Sequence, residues 1–306
     1  MTDKAHLHGL LRGIGRADLQ PETYTLRDAK ECREFFVRAR AERGAVWVTK
    51  EPGASQGAGI VINPKLGELE EKYLKDPAAA EPVCVGLEED EDVVVQRYIM
   101  NPLLLNKKKM EIRSYWLLAS VDPLVVFYHD GTVRLTTSDY NQGDWDNPLI
   151  HITNTAQQKK ADPNYYDTQT ERKWTLAQLA AYLEDHKKVP HGASYLSRTL
   201  RPQLIDIIRT VVQAAHPLLL REKSKSGWDG RFELLGMDVI LDDQLKVWLT
   251  EIQMGPGISR DPGVKQQTLP AMLEELTSIM LEVDQHMLKF GHVKDVNAAV
   301  TWERVI

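Results

Sequence analysis

Three oxygen-bearing side chains interrupt an otherwise apolar stretch near the C-terminal end: Asp238, Glu251 and Gln253, within Glu233-Leu-Leu-Gly-Met-Asp238-Val-Ile-Leu-Asp-Asp-Gln-Leu-Lys-Val-Trp-Leu-Thr-Glu251-Ile-Gln253. A carboxylate in such a strand costs several kcal/mol of desolvation unless a partner compensates it. With the turn Asp242-Asp243-Gln244 centred near Gln244 and Leu245, Asp238 comes opposite Glu251, and Gln253 points to the same face. Two carboxylates and an amide oxygen suit Mg²⁺, a hard ion that takes oxygen ligands and keeps places for phosphate oxygens. The same residues also suit a hairpin whose acids pair with Lys or Arg elsewhere.

Other groups could act on an anion. Lys50 ends a short strand and is followed by Glu51-Pro-Gly53-Ala-Ser55-Gln-Gly57-Ala-Gly59, where glycines let backbone N–H groups approach phosphate, Ser55 adds a donor and Lys50 supplies fixed charge. The order is not that of a P-loop, because the lysine precedes the loop and a strand follows it. Gln96-Arg97-Tyr98-Ile99 can be a connection whose backbone edge binds an adenine, or a strand end anchored by Tyr98. Lys109, Glu111 and Arg113 alternate along one face of a strand, which either lines a site or faces water. His129 and His151 lack evident metal partners and read as structural. No Ser/His/Asp or Cys/His set is convincing.

These groups need elements to hold them. Leu26 to Arg43 is a helix opened by Arg27-Asp28-Ala29, with Cys32, Phe35, Phe36 and Ala39 on one side and Gly44 after it. Val46–Val48 and Ile60–Ile62 flank the glycine loop as strands, which makes it a flap. Residues 64 to 92 hold a loop and a short helix, and Val93–Val95 is a strand. Ile112–Val121, Leu124–Tyr128 and Val133–Leu135 are strands parted by turns at Asp122-Pro123 and Asp130-Gly131. Residues 141 to 167 read as loop. Trp174–Leu183, Leu204–Leu220 and Leu269–Leu288 are helical, with Pro217 expected to end or kink the second. Residues 1 to 20 read as an irregular lead-in. The class is α+β.

The 306 residues, 42% hydrophobic and 27% charged, suffice for one large domain or two ordinary ones. No apolar run approaches the roughly 18 residues of a bilayer span, and the start lacks a signal-peptide layout. A net charge of −6 makes no general case for nucleic acid. Cys32 and Cys84 show neither CxxC nor Cys/His spacing, so neither a disulfide framework nor a zinc site is expected and a reducing compartment is the default.

In order, Lys50-x-Pro52-x-x-Ser55-x-Gly57-x-Gly59-Ile60, Gln96-Arg-Tyr-Ile99, Lys109-x-Glu111-x-Arg113, Val121-Asp-Pro-Leu124, Gly131-x-Val-Arg134, His151-Ile-Thr-Asn154 with Gln158-Lys-Lys160, and Asp238 with Glu251-Ile-Gln253 closely resemble the tubulin–tyrosine ligase family of ATP-grasp enzymes. The resemblance covers roughly Pro21 to Pro270. It implies two α+β subdomains clasping ATP: a lid with the glycine loop over residues 21–94 and a C-terminal subdomain with the Mg²⁺ site over 95–306. The family's N-terminal domain is expected to be missing or much reduced.

By that resemblance Lys50, Ser55, Gly57, Gly59, Gln96, Arg97, Tyr98, Ile99, Lys109 and Glu111 bind nucleotide, and Asp238, Glu251 and Gln253 carry Mg²⁺. Arg113 and Arg134 hold the acceptor carboxylate, with Thr153 and Asn154 beside the γ-phosphate. The implied reaction is amide formation: a carboxylate attacks the γ-phosphoryl group, ADP leaves, and an amine displaces phosphate from the acyl phosphate. The partners implied are an amino acid donor and an acceptor on a peptide or protein tail, tubulin among them, in a cytoplasmic, cytoskeleton-associated setting without nucleic acid or membrane. A small peptide or metabolite as substrate, or a catalytically weak ATP-binding interaction module, are the other readings. The sequence departs from the family's usual residues at Glu111 (Asp), Arg97 (Lys) and Gln253 (Asn).

Overall fold

The computed structural model describes residues 1–42, 44–53, 57–221, 230–259 and 262–306. In chain order the elements are α1 (Lys4–Gly13), β1 (Thr23–Thr25), α2 (Ala29–Ala41), β2 (Trp47–Lys50), β3 (Ile60–Asn63), α3 (Leu66–Tyr73), β4 (Val94–Arg97), β5 (Leu104–Leu105), β6 (Lys108–Val121) and β7 (Leu124–Leu135). Then follow α4 (Pro148–His151), α5 (Thr155–Ala161), α6 (Tyr165–Thr168), β8 (Lys173–Trp174), α7 (Leu176–Asp185), α8 (Gly192–Tyr195), α9 (Arg201–Arg221), β9 (Glu233–Leu241), β10 (Val247–Met254), α10 (Val264–Phe290) and β11 (Glu303–Arg304). One sheet runs β1-β4-β2-β3. The other runs β10-β9-β6-β7-β11, with β5 on β6 and β8 on β7. This mixture of helices and antiparallel sheets is the expected α+β class.

The chain divides into two units built from discontinuous segments: residues 1–110, 135–166 and 240–250, and residues 111–134, 167–239 and 251–306. In the first, the Asp28 carboxylate caps α2 by accepting from the N–H groups of Lys30 and Glu31. The buried stripe Cys32, Phe35, Phe36 and Ala39 then packs with Trp47, Leu69, Tyr73 and Val95 in one core. Phe35 meets Trp47 edge to face at 4.9 Å. In the second unit, Tyr115, Leu117 and Ala119 of β6 and Val125 and Phe127 of β7 pack with Leu269, Met272, Leu276, Ile279 and Val283 of α10.

Four expectations are corrected. Residues 4–13 form a helix: Asp3 accepts from the His6 N–H, and Leu7 and Leu11, one turn apart, are fully buried. Gly9, Gly13 and Gly15 disguise that apolar pair in the sequence. Asp130-Gly131 is no turn but lies inside β7, where Gly131 takes φ +70°. A Cβ there would stand 2.0 Å from the Arg113 carbonyl oxygen, so only glycine lets the two strands approach. Residues 141–167 carry α4, α5 and α6, whose four to seven residues are too few to show a helical period. The helix expected over Leu204–Leu220 is α9, with Pro217 inside it. Finally, Cys32 and Cys84 form a disulfide. Cys32 belongs to the first unit's core and Cys84 packs against it. Tertiary packing, not spacing, brings the two sulfurs together, so the reading of two separate thiols fails.

Candidate functional site

In the first unit Lys50 ends β2, in register with Ile60 on β3 and Val94 on β4. Its ammonium donates to the Gln96 side-chain oxygen at 2.8 Å and to the Thr250 carbonyl at 3.1 Å. The amide of Gln96 donates in turn to Thr23 Oγ1 at 2.9 Å. A hydrogen bond from the Glu51 N–H to the Gly59 carbonyl, 3.1 Å, closes the base of the glycine loop. Gly53, Gly57 and Gly59 all have positive φ. A Cβ on Gly57 would lie 2.9 Å from Gln157 Cγ and 3.0 Å from Asn154 Cβ, which places this part of the flap against the start of α5. Ser55 lies outside the described residues. Asn154 caps α5 by accepting from the Ala156 N–H at 2.9 Å, and Thr153 before it is buried.

After β4 the chain leaves the sheet. The Tyr98 N–H makes a last bond to the Val46 carbonyl at 2.9 Å. Residues 97 to 101 then line a cavity of about 470 Å³ with Pro21, Glu22, Asp242, Asp243 and Trp248. The Arg97 guanidinium pairs with Glu22, itself a lining residue, at 3.2 Å and with Glu42. Trp248 is oriented by a bond from Nε1 to Asp242, 2.9 Å. Buried Lys109 donates to the Tyr98 hydroxyl at 3.2 Å and to the His151 carbonyl at 2.9 Å. The His151 Nδ1 lies 2.8 Å from the same hydroxyl. Burial first, then the charge of Lys109, lowers the His151 imidazolium pKa to about 4.

The second unit holds a buried row of charges. β6 and β9 pair with Arg113 directly opposite Asp238. Arg113 grips both carboxylate oxygens, through Nε and, at 2.6 Å, through Nη2. Arg134 donates to Asp238 at 2.8 Å and to Glu111 at 2.5 Å. With its amide oxygen turned toward Arg113, Gln253 accepts from Nη1 and, at 2.6 Å, from Nη2. Burial raises the Asp238 pKa, but Arg113 and Arg134 outweigh it and hold the group below its ordinary value. The Arg134 pKa is raised despite burial, by Asp238 and Glu111.

Asp238 and Gln253 thus face one cation already, the guanidinium of Arg113. Hard oxygens converging on a cation fit a divalent ion by donor chemistry, and Glu251, half-buried on β10, is the remaining carboxylate. Among the described residues no group of three or more His, Cys, Asp or Glu side chains is placed to hold a metal. A metal would therefore need Gln253 or ligand oxygens.

The sequence reading missed the linkage of Tyr98, Lys109 and His151. Its members lie 11 and 42 residues from Lys109, and no linear spacing signals their contact. It also left open what Asp238 touches, since its arginines lie 104 and 125 residues away.

Antiparallel sheets combined with helices agree with the α+β class that the ligase resemblance implies, while the pairing of Asp238 with Arg113 and Arg134 is the other reading of that stretch, acids met by basic residues from elsewhere in the chain. The sequence model of the Tubulin-tyrosine ligase family matches residues 4–288, and the chain belongs to that family. Among relatives, Protein polyglycylase TTLL10 of Mus musculus is 31% identical over 283 residues, covering 88% of this chain and 37% of that protein. Inactive polyglycylase TTLL10 of Homo sapiens is 32% identical over 282 residues, 88% and 39%. Probable tubulin polyglutamylase ttll-9 of Caenorhabditis elegans is 30% identical over 236 residues, 76% and 52%. The chain spans about two fifths to one half of the length of these relatives. No helix among the described residues is long and apolar enough to cross a membrane.

Proposed function

We propose that this chain is an ATP- and Mg²⁺-dependent carboxylate–amine ligase on an ATP-grasp fold, joining an amino acid to a carboxylate of a peptide or protein tail, with tubulin as the favoured acceptor. The observation that carries the reading is the fixing of two strand lysines, Lys50 and Lys109, by hydrogen bonds within the unit that also holds the glycine flap and the hinge cavity. Positioned cations of this kind neutralise phosphate charge without needing to reorganise.

In this reading Lys50, Gly57 and Gly59 hold phosphates, together with Ser55, while Gln96 to Ile99 hold the base, with Lys109 and Glu111 against the nucleotide. Asp238, Glu251 and Gln253 would hold Mg²⁺, whose part is to neutralise phosphate charge. Arg113 and Arg134 orient the acceptor carboxylate, and Thr153 and Asn154 stand by the γ-phosphate. The acceptor oxygen attacks the γ-phosphorus and ADP departs. The amine nitrogen then attacks the acyl carbon, phosphate departs, and the nitrogen releases a proton. Neither step needs a side-chain nucleophile; orientation and charge suffice. Association with the cytoskeleton follows from a tubulin acceptor.

A second reading, a nucleotide-binding module without turnover, is favoured by the engagement of both Asp238 oxygens with arginine and by the word "Inactive" in the name of the human relative. Release of ADP with each amino acid, on acidic peptides and on tubulin, with the product read by mass, separates the two. A mass gain of one residue on the acceptor supports the ligase. Bound ATP without mass gain on any acceptor leaves the module.

A further inference from the structure

We propose that His151 is a positioning residue of the nucleotide site: acting through the Tyr98 hydroxyl, its ring fixes the ammonium of Lys109 where a phosphate can be met. The proposal rests on the assignment of Lys109 to the nucleotide made above.

The direction of the hydrogen bonds follows from what each group can do. An ammonium only donates, so the bond between Lys109 and the Tyr98 hydroxyl uses a lone pair of the tyrosine oxygen. The hydroxyl proton must then point elsewhere, and His151 Nδ1 lies 2.8 Å away. On the other side of the ring the Asp144 carbonyl, which can only accept, lies 2.9 Å from Nε2, so the ring proton sits on Nε2 and Nδ1 of the neutral ring is bare to take the hydroxyl proton. Tyr140, the other hydroxyl interacting with Tyr98, donates its own proton to the Met100 carbonyl at 2.8 Å. The chain of donation runs one way, from Lys109 to Tyr98 to His151 to Asp144.

The ring cannot easily turn to break that order. It stacks on Trp145 with 5.1 Å between centroids and 14° between planes, and Tyr98 and Tyr140 meet it edge-on at 5.7 and 5.9 Å. The backbone carbonyl of His151 takes a second Lys109 proton at 2.9 Å. The Tyr98 ring lies 4.4 Å from the same ammonium. One residue thus holds Lys109 twice, by its main chain directly and by its ring through Tyr98. The ring's share is the part a substitution can remove.

The test compares three variants by binding of ATP in calorimetry. His151→Phe keeps the stacked ring and removes the acceptor. Its Kd for ATP is expected to rise roughly tenfold, the scale of one charge-assisted hydrogen bond. His151→Asn places an amide oxygen where Nδ1 stood and is expected to recover most of that loss. His151→Gln reaches the Nε2 position instead and is expected to remain weak. ATP binding unchanged in His151→Phe, or equal losses in all three, overturns the proposal, the second pattern being that of a merely structural residue.

A ligand-free measurement keeps the inference separate from the assignment of ATP. Nitrogen NMR of the wild-type protein is expected to show His151 protonated at Nε2 and bare at Nδ1. A proton on Nδ1 overturns the proposal even where ATP binds. Failure of the wild type to bind ATP refutes the nucleotide assignment, and with it the phosphate role of Lys109, while the tautomer still reports whether His151 orders Tyr98 and Lys109.

Discussion

Arg113 and Asp238 stand directly opposite one another on β6 and β9, and the guanidinium of the first takes both carboxylate oxygens of the second. Arg134 shares the same carboxylate. Asp238→Asn would leave two buried guanidinia with one fewer counter-charge, a change that typically costs about 3–5 kcal/mol. Urea unfolding should show that loss, and binding of Mn²⁺ followed by electron resonance should disappear with it. Stability within about 0.5 kcal/mol of wild type would contradict the buried pairing.

Gly131 lies on the neighbouring strand, against the backbone of Arg113. At φ +70° its missing Cβ would fall 2.0 Å from the Arg113 carbonyl oxygen and 2.8 Å from Ser114 Cα. Both neighbours are backbone and cannot swing aside. Gly131→Ala is therefore expected to destabilise by about 3 kcal/mol or more, through strain and displacement of β6. Thermal unfolding checks it; a melting temperature unchanged from wild type would show that β6 and β7 do not approach this closely.

Most of the scaffold was legible because its signals are local. Asp28 before an apolar stripe marks α2, Asp242 to Gln244 between β-branched runs marks the β9–β10 turn, and the Met and Leu spacing of α10 marks its buried face. The site residues were legible as types, since Lys50, Lys109, Arg113 and Asp238 are charges within strands. Their partners were not. Asp238 meets Arg113 only because β6 and β9 pair in one register, and Cys32 meets Cys84 only because α2 and the chain after α3 share a core. Long-range register leaves no periodicity for a sequence to display. Gly131 shows the converse: a glycine after an aspartate reads as a turn, while its use is close approach of two backbones.

The Cys32–Cys84 pair closes a loop that contains β2, the glycine flap, β3 and α3. Cross-linking a loop of this length removes unfolded-state entropy worth about 4 kcal/mol on the chain-entropy account. Reductant should lower the melting temperature of the wild type, and Cys84→Ser should lower it to the same value and abolish the reductant effect. Two freely alkylated thiols in the native, unreduced protein would contradict the bond.

His151 gives the fold a titration that can be read separately from activity. Its folded pKa is lowered to about 4 from the ordinary 6.5, by burial and by Lys109, against a smaller opposing pull from Asp144. The groups facing it are Lys109, Tyr98, Tyr140 and the Asp144 carbonyl. Between those two pH values the unfolded chain binds a proton that the native ring refuses. The unfolded state is then favoured by acid, so the contribution is fully present above about pH 6.5 and is lost as pH falls toward 4. Replacing the ring with the non-titrating amide of His151→Asn should flatten this part of the curve. Chemical unfolding at several pH values measures the difference between wild type and variant, which cancels the other eight histidines. Parallel curves for the two proteins would mean that His151 titrates in the native state as it does in the unfolded chain, and that the Tyr98–Lys109 network does not depend on a neutral ring.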